Sequence, residues 1–208
     1  MKRKIHIGII DYKIGNINSC SRALQRLGFK SSLISQPSEI YKIDLILLPG
    51  VGSFHLAMKT LKQNYMDQSI KQAFKDGIPI VGICLGMQLL ANDSTENQYT
   101  EGLGLIPGSI KPISLDSQIH IGWNRINTSE VIFEPLEKYN SKFVYFNHEY
   151  GFVGNKKYVI GHTSIKKDLN VVSAIKNKNI IGFQFHPEKS QKIGHQLLKD
   201  SINFLCKK

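Results

Sequence analysis

Ile78-Pro79-Ile80-Val81-Gly82-Ile83-Cys84-Leu85-Gly86-Met87-Gln88-Leu89-Leu90 is the stretch whose reading decides the fold. A short apolar run enters Gly82-x-Cys84-x-Gly86, and a helix-like pattern leaves it. That is the layout of a nucleophile elbow, with cysteine as the nucleophile. The glycines have a steric reason: the turn from strand to helix is sharp, and side chains beside the nucleophile would collide there. The pattern sets the sulfur over a helix N-terminus, where free N–H groups and the dipole favour thiolate. It also makes the N–H of Leu85, the next residue, an oxyanion donor. A single cysteine in apolar surroundings otherwise reads as a small core residue. The nucleophile reading therefore requires partners elsewhere in the chain.

Working outward, the strand that ends in the elbow is the fourth of a series. Residues 4–10 form an apolar run of the kind buried on both faces of a parallel sheet. Asp11 to Asn16 reads as a turn, and Ile17, Cys20, Ala23, Leu24 and Leu27 then recur on one helical stripe that Gly28 ends. Residues 29–34 and 43–48 give two more strands, and helical patterns run to Leu61 and from Met66 to Asp76. Strand–helix alternation at this spacing predicts a doubly wound α/β fold with a mostly parallel sheet flanked by helices. Beyond the elbow, short strand-like segments at 103–110, 119–126, 142–147 and 157–162 predict additional antiparallel strands, in the main sheet or beside it. Residues 171–175 and 180–185 form a hairpin around 176–179, and a closing helix starts near Gln191. The whole, 1–208, reads as a single domain.

In such folds ligands bind beyond the carboxyl ends of the strands. Cys84 stands at one such end, and Pro49-Gly50-Val51-Gly52-Ser53 at another, where it offers a second backbone N–H to an oxyanion. The partners a cysteine nucleophile needs are a base and a group that fixes the base's tautomer. His186 and Glu188 follow the last strand, two residues apart, and fill both roles on paper. His6, inside the first strand, reads as structural, and His55, His162 and His195 as surface or helix positions.

Bulk composition excludes several classes. No apolar run reaches the ~18 residues of a membrane helix, and the opening apolar run is too short for a signal sequence. Cys20, Cys84 and Cys206 are odd in number and far apart, so neither a disulfide framework nor a metal site is expected. The net charge of +11 arises from scattered lysines, without an arginine-rich arm or basic stripe, and reads as a solvated surface rather than a nucleic-acid groove. A cytoplasmic enzyme without cofactor, nucleic acid or membrane contact is the expectation.

Gly82-Ile83-Cys84-Leu85-Gly86-Met87-Gln88 together with Gln184-Phe185-His186-Pro187-Glu188 resembles the class I, triad-type glutamine amidotransferases, over nearly the whole chain. These domains release ammonia from glutamine and pass it to a synthase. Pro49-Gly50-Val51-Gly52, Glu101 to Gly108, Ile121-Gly122-Trp123-Asn124 and Tyr145 to Tyr150 resemble one branch of that family, the glutaminase subunits of imidazole glycerol phosphate synthases. The resemblance implies a catalytic triad of Cys84, His186 and Glu188, and an oxyanion hole from Gly52 and Leu85. It implies contacts to L-glutamine from Gly50, Gln88, Glu96, His148 and Tyr150. Asn16, Trp123 and Asn124 match the face that meets a (β/α)8-barrel cyclase, in a heterodimer that makes imidazole glycerol phosphate and AICAR for histidine biosynthesis. The sole tryptophan, between Gly122 and Asn124 in what reads as a turn, suits an interface anchor.

Three departures from that pattern stand out: Lys13 where the branch has glycine, Glu149 where it has serine, and the segment Gly151 to Gly154 after the cavity segment. They touch no triad residue. They leave open a second acceptor, a nucleotide-sugar amidating enzyme of surface-polysaccharide synthesis. A non-catalytic scaffold and a stand-alone γ-glutamyl hydrolase are the readings from other classes. The intact triad disfavours the first, and the Trp123 and Val51 segments the second.

Overall fold

The computed structural model describes residues 4–13, 16–113, 119–166 and 169–207; Met1 to Arg3, Ile14 and Gly15 of the opening turn, and Lys167 lie outside them. β1 (His6–Ile10) leads to α1 (Ile17–Arg26), β2 (Lys30–Ile34), β3 (Leu45–Leu48), α2 (Phe54–Gln63), α3 (Met66–Lys75), β4 (Ile80–Ile83) and α4 (Leu85–Gln88). β3 and β4 are buried at every residue, as expected of strands covered on both faces. α1 turns Cys20, Ala23 and Leu24 inward, and α2 turns Phe54, Ala57, Met58 and Leu61. That is the 3–4 residue spacing of an amphipathic helix on a sheet.

The second half supplies β5 (Asp93–Ser94), β6 (Thr100–Glu101), β7 (Gly108–Pro112), β8 (His120–Arg125), β9 (Asn127–Thr128), α5 (Glu134–Glu137), β10 (Phe143–His148), β11 (Tyr150–Gly154), β12 (Val159–Lys166), β13 (Leu169–Asn177), β14 (Ile180–Phe183) and α6 (Gln191–Leu205). The main sheet runs β2-β1-β3-β4-β14-β13-β12-β9. Its first five strands are parallel, and from β14 onward the neighbours are antiparallel. The antiparallel segments beyond the elbow do both things anticipated. Some extend the main sheet, while β11-β7-β5-β6 and the β10–β8 pair form two smaller sheets beside it. Two apolar clusters cover the main sheet, one containing Leu48, Phe54 and Ile80, the other Leu47, Val81 and Phe185.

Three local expectations are corrected. The elbow helix is one turn long, because the backbone carbonyls of Leu89, Leu90 and Ala91 are taken by the N–H groups of Leu103, Leu105, Ile106 and Gly104. For the same reason Leu103 to Ile106 is not a strand; it folds back as a plug, and β7 begins only at Gly108. The hairpin turn narrows to Lys178-Asn179, since Asn177 already pairs with Ile180. Lys178 takes the positive φ, +49°, that so tight a turn demands.

Candidate active site

The elbow is built by close packing. Cys84 has φ +49° and ψ −107°, a conformation that L side chains rarely hold unless surroundings impose it. Those surroundings are β3 and the backbone of α4: a Cβ on Gly86 would collide with the Leu48 carbonyl, so β3 lies directly on the turn. The Cys84 N–H donates to the Phe183 carbonyl at 2.7 Å, which fixes the elbow against the end of β14. Cys84 is 5% exposed, at the floor of a cavity of about 250 Å³. Val51, Gly52, Leu85, Gln88, Glu96 and Asn147 to Tyr150 line it. With α4 only one turn long, the macrodipole adds little at Cys84; the specific donor to the sulfur is a side chain. Gln184 Nε2 donates to Sγ at 3.7 Å, and Sγ faces the Asn147 carbonyl at 3.7 Å.

His186 and Glu188 arrive together from the turn after β14. Nδ1 of His186 donates to Oε1 of Glu188 at 2.9 Å, with the side chains 0% and 1% exposed. The turn is pinned on both sides. His186 N–H donates to the Tyr145 carbonyl, the Ser190 hydroxyl donates to the His186 carbonyl, and Tyr145 N–H donates to Ser190 Oγ. Among the described residues, no oxygen or nitrogen partners Nε2 of His186, which is left to the Cys84 sulfur, and Oε2 of Glu188 is likewise unbonded. Burial pulls the imidazole pKa down, but Cys84 and then Glu188 push it up further, to about 9. A positive ring between a sulfur and a buried carboxylate is the charge arrangement of an activated cysteine.

Gln88 donates Nε2–H to the Tyr150 carbonyl at 2.9 Å and to Gln184 Oε1 at 3.3 Å. Glu96 is held by the Phe54 N–H at 3.2 Å, the first turn of α2. Its carboxyl pKa is raised, chiefly by burial and also by Glu149, against the hydrogen bonds from Phe54 and Ser53. His148 Nδ1 donates to the Tyr150 carbonyl at 2.8 Å. Gly50 is not on the cavity wall. A Cβ there would sit 2.5 Å from the Ile83 carbonyl, so the glycine lets this loop pack directly against the elbow.

Trp123 stands in mid-β8, not in a turn. Along β8 burial alternates, with His120 inside and Ile121 (60% exposed) and Trp123 (44%) outside, beside Tyr145 at 5.9 Å. Ile119, which lines the cavity, continues the same apolar face. Asn124 is tied to His120 and to the Ser164 carbonyl, and Asn16 precedes α1 without a side-chain cap. Two residues were not anticipated, Gln184 and His120. The signal for Gln184 lies in Phe183-Gln184-Phe185, a lone amide between two core aromatics where a strand ends.

The model of the family "Glutamine amidotransferase class-I" matches residues 8–204. Among curated proteins, the imidazole glycerol phosphate synthase subunit HisH of Carboxydothermus hydrogenoformans is 40% identical over 92% of this chain and 96% of its own. The protein of the same name from Listeria monocytogenes is 39% identical over 97% and 98%. Among solved structures, PurLQS from Thermotoga maritima superposes with a TM-score of 0.77 at 21% identity, over 98% of this chain and 100% of that one. A glutamine amidotransferase from Thermotoga maritima gives 0.73 at 14%, over 99% and 100%. At those identities the structures share the fold alone.

Proposed function

The chain belongs to the class I glutamine amidotransferase family, and from that premise we propose that it is the glutaminase subunit of an imidazole glycerol phosphate synthase. The observation that carries the proposal is Cys84, in its strained elbow on the cavity lining, set against the buried His186–Glu188 pair. Cys84 thiolate attacks the side-chain amide carbon of L-glutamine. The oxyanion is held by backbone N–H groups of Gly52 and Leu85, and His186 protonates the departing ammonia. Water then adds to the γ-glutamyl thioester, giving glutamate and restoring the thiol. Gln88, Glu96, His148 and Tyr150 hold the substrate. The relatives named HisH support this acceptor over the nucleotide-sugar alternative.

Free ammonia would be lost from an open cavity, so a partner must receive it. The exposed apolar face of β8, from Ile119 past Ile121 to Trp123, begins at the cavity mouth and supports docking of a cyclase barrel there. The test is glutamate release by the purified chain, alone and with a histidine-pathway cyclase plus its phosphoribosyl substrate, with Cys84→Ala as control. Stimulation by that pair, abolished in the variant, is expected. Cys84-dependent turnover that the cyclase fails to raise assigns another acceptor, and no turnover under any condition leaves a scaffold.

A further inference from the structure

His120 and His148 face each other in the β8–β10 register, and both are buried, 5% and 6% exposed. Their rings complete one hydrogen-bonded chain. His148 Nδ1 lies 2.8 Å from the Tyr150 carbonyl oxygen, His148 Nε2 lies 2.9 Å from His120 Nδ1, and His120 Nε2 lies 2.9 Å from Asn124 Oδ1. The Asn124 amide is oriented from its other side, because its Nδ2 donates to the Ser164 carbonyl at 3.1 Å. Both ends of the chain are therefore oxygen acceptors. Three links require three N–H protons on the four ring nitrogens, and two neutral imidazoles carry only two.

We propose that His120 and His148 share one additional proton, and that through it His120 is a positioning residue for the glutamine cavity, tying its wall to strand β12. The consequence for glutamine rests on the glutaminase reading; the proton count does not. At the cavity end, the Tyr150 carbonyl that accepts from His148 also accepts from Gln88. At the far end, Asn124 joins β8 to β12 beside Trp123. Removing the proton sets two lone pairs against each other at one link. The amide of Asn124 can relieve this by rotating, but its oxygen then faces the Ser164 carbonyl and the tie to β12 is lost.

The surroundings hold this proton in balance. Phe146 stacks on the His120 ring at 4.7 Å and 26°, and an aromatic face favours a cation. The carboxylates of Glu149 and Glu96 share the cavity wall with His148, while Tyr150 enters from β11 with its carbonyl and β12 with that of Ser164. Opposing them are burial and the His186 ring beyond β14. Burial, then His120 and His186, bring His148 down to about 3 against the Tyr150 bond, and burial lowers His120 against its Asn124 bond. The two rings titrate as one unit. The fully bonded chain therefore belongs to the acid side and is released as pH rises.

The test is 15N-detected histidine NMR of the full chain from about pH 3 to 8, a range that reaches from the lowered His148 value of about 3 past ordinary histidine titration, with His120→Gln and His148→Gln for assignment. Expected are three ring N–H signals from the pair at low pH, falling to two, with the Asn124 amide signals moving at the same pH. Asn124→Asp supplies an anionic acceptor and should raise that transition by about one unit or more. The glutamine KM of the wild type should rise several-fold across the transition while alkylation of Cys84 by iodoacetamide follows its own profile. Two N–H signals at every pH, or a transition that Asn124→Asp leaves in place, would overturn the shared proton. A transition that KM ignores would overturn the positioning role. Absence of Cys84-dependent glutamate release would instead overturn the glutaminase reading, with the proton count still legible.

Discussion

His186 donates to Glu188 across 2.9 Å with both side chains out of solvent, so the carboxylate fixes which ring nitrogen is left for Cys84. Glu188→Gln keeps the shape but removes the charge and permits the wrong tautomer. Glutamate release should fall on the order of 10³–10⁴-fold, the scale seen when a triad acid becomes its amide. His186 should also titrate below the value of about 9 it holds in the intact site. Histidine NMR and steady-state kinetics on the same variant read both.

The same ring gives stability a pH dependence whose sign is fixed. Its folded pKa, about 9, lies above the unfolded value of about 6.5. The stability it contributes is fully present below about pH 6.5 and lost as pH rises through about 9. Urea midpoints should decline between those limits, and Cys84→Ala, which removes the leading upward influence on His186, should flatten the decline.

Gln184 donates to the Cys84 sulfur and accepts from Gln88, so it couples nucleophile to substrate wall. Gln184→Met keeps the bulk and removes the donor. Alkylation of Cys84 by iodoacetamide at neutral pH should slow about fivefold, the worth of one hydrogen bond of about 1 kcal/mol. An unchanged rate would make Gln184 a packing residue.

How much of this was legible in sequence follows from what each residue interacts with. The parallel strands and the elbow announce themselves because β3 and β4 are apolar at each buried position and the glycines answer local sterics. Cys84 and His186 come together because β14 pairs with β4 in register, Phe183 against Ile83, a long-range fact that only the paired motifs hinted at. The helix after the elbow stops at Gln88 although the apolar pattern runs on to Leu90; what stops it is a plug from Gly102 to Ile106, invisible to local periodicity. Gly122 reads locally as a turn beside Trp123, yet the glycine's backbone, at φ +140°, continues the strand. His120 escapes local pattern because its meaning lies in distant partners: His148, 28 residues along the chain, and Ser164, 40 residues beyond the Asn124 that links them.

Lys13 has φ +61°, the left-handed region that favours glycine. Asp11 holds it there: Oδ1 accepts the Lys13 N–H at 2.9 Å and Oδ2 the ammonium at 2.8 Å. Lys13→Gly should relieve about 1–2 kcal/mol of left-handed strain, offset by the loss of an exposed ion pair worth about 0–1 kcal/mol. A small net gain is expected in chemical denaturation. A net loss would mean that Asp11 does more than hold the turn.

Glu149 shares the cavity wall with Glu96, and its charge adds to the burial that raises the Glu96 carboxyl pKa. If Glu96 binds the α-ammonium of glutamine as carboxylate, protonating it on the acid side should weaken substrate binding. Glu149→Ser removes the neighbouring charge, so Glu96 should ionise at lower pH and the acid limb of kcat/KM should move down with it. Because Glu149 is also an anion that can attract the ammonium directly, KM on the alkaline plateau should rise modestly, about two- to fivefold for one partly solvated charge. Run in the His120→Gln background, where the paired-ring transition is absent, a pH series separates the two effects. A shifted limb with an unchanged plateau would leave Glu149 acting only through Glu96, and an unshifted limb would remove Glu96 as the titrating group.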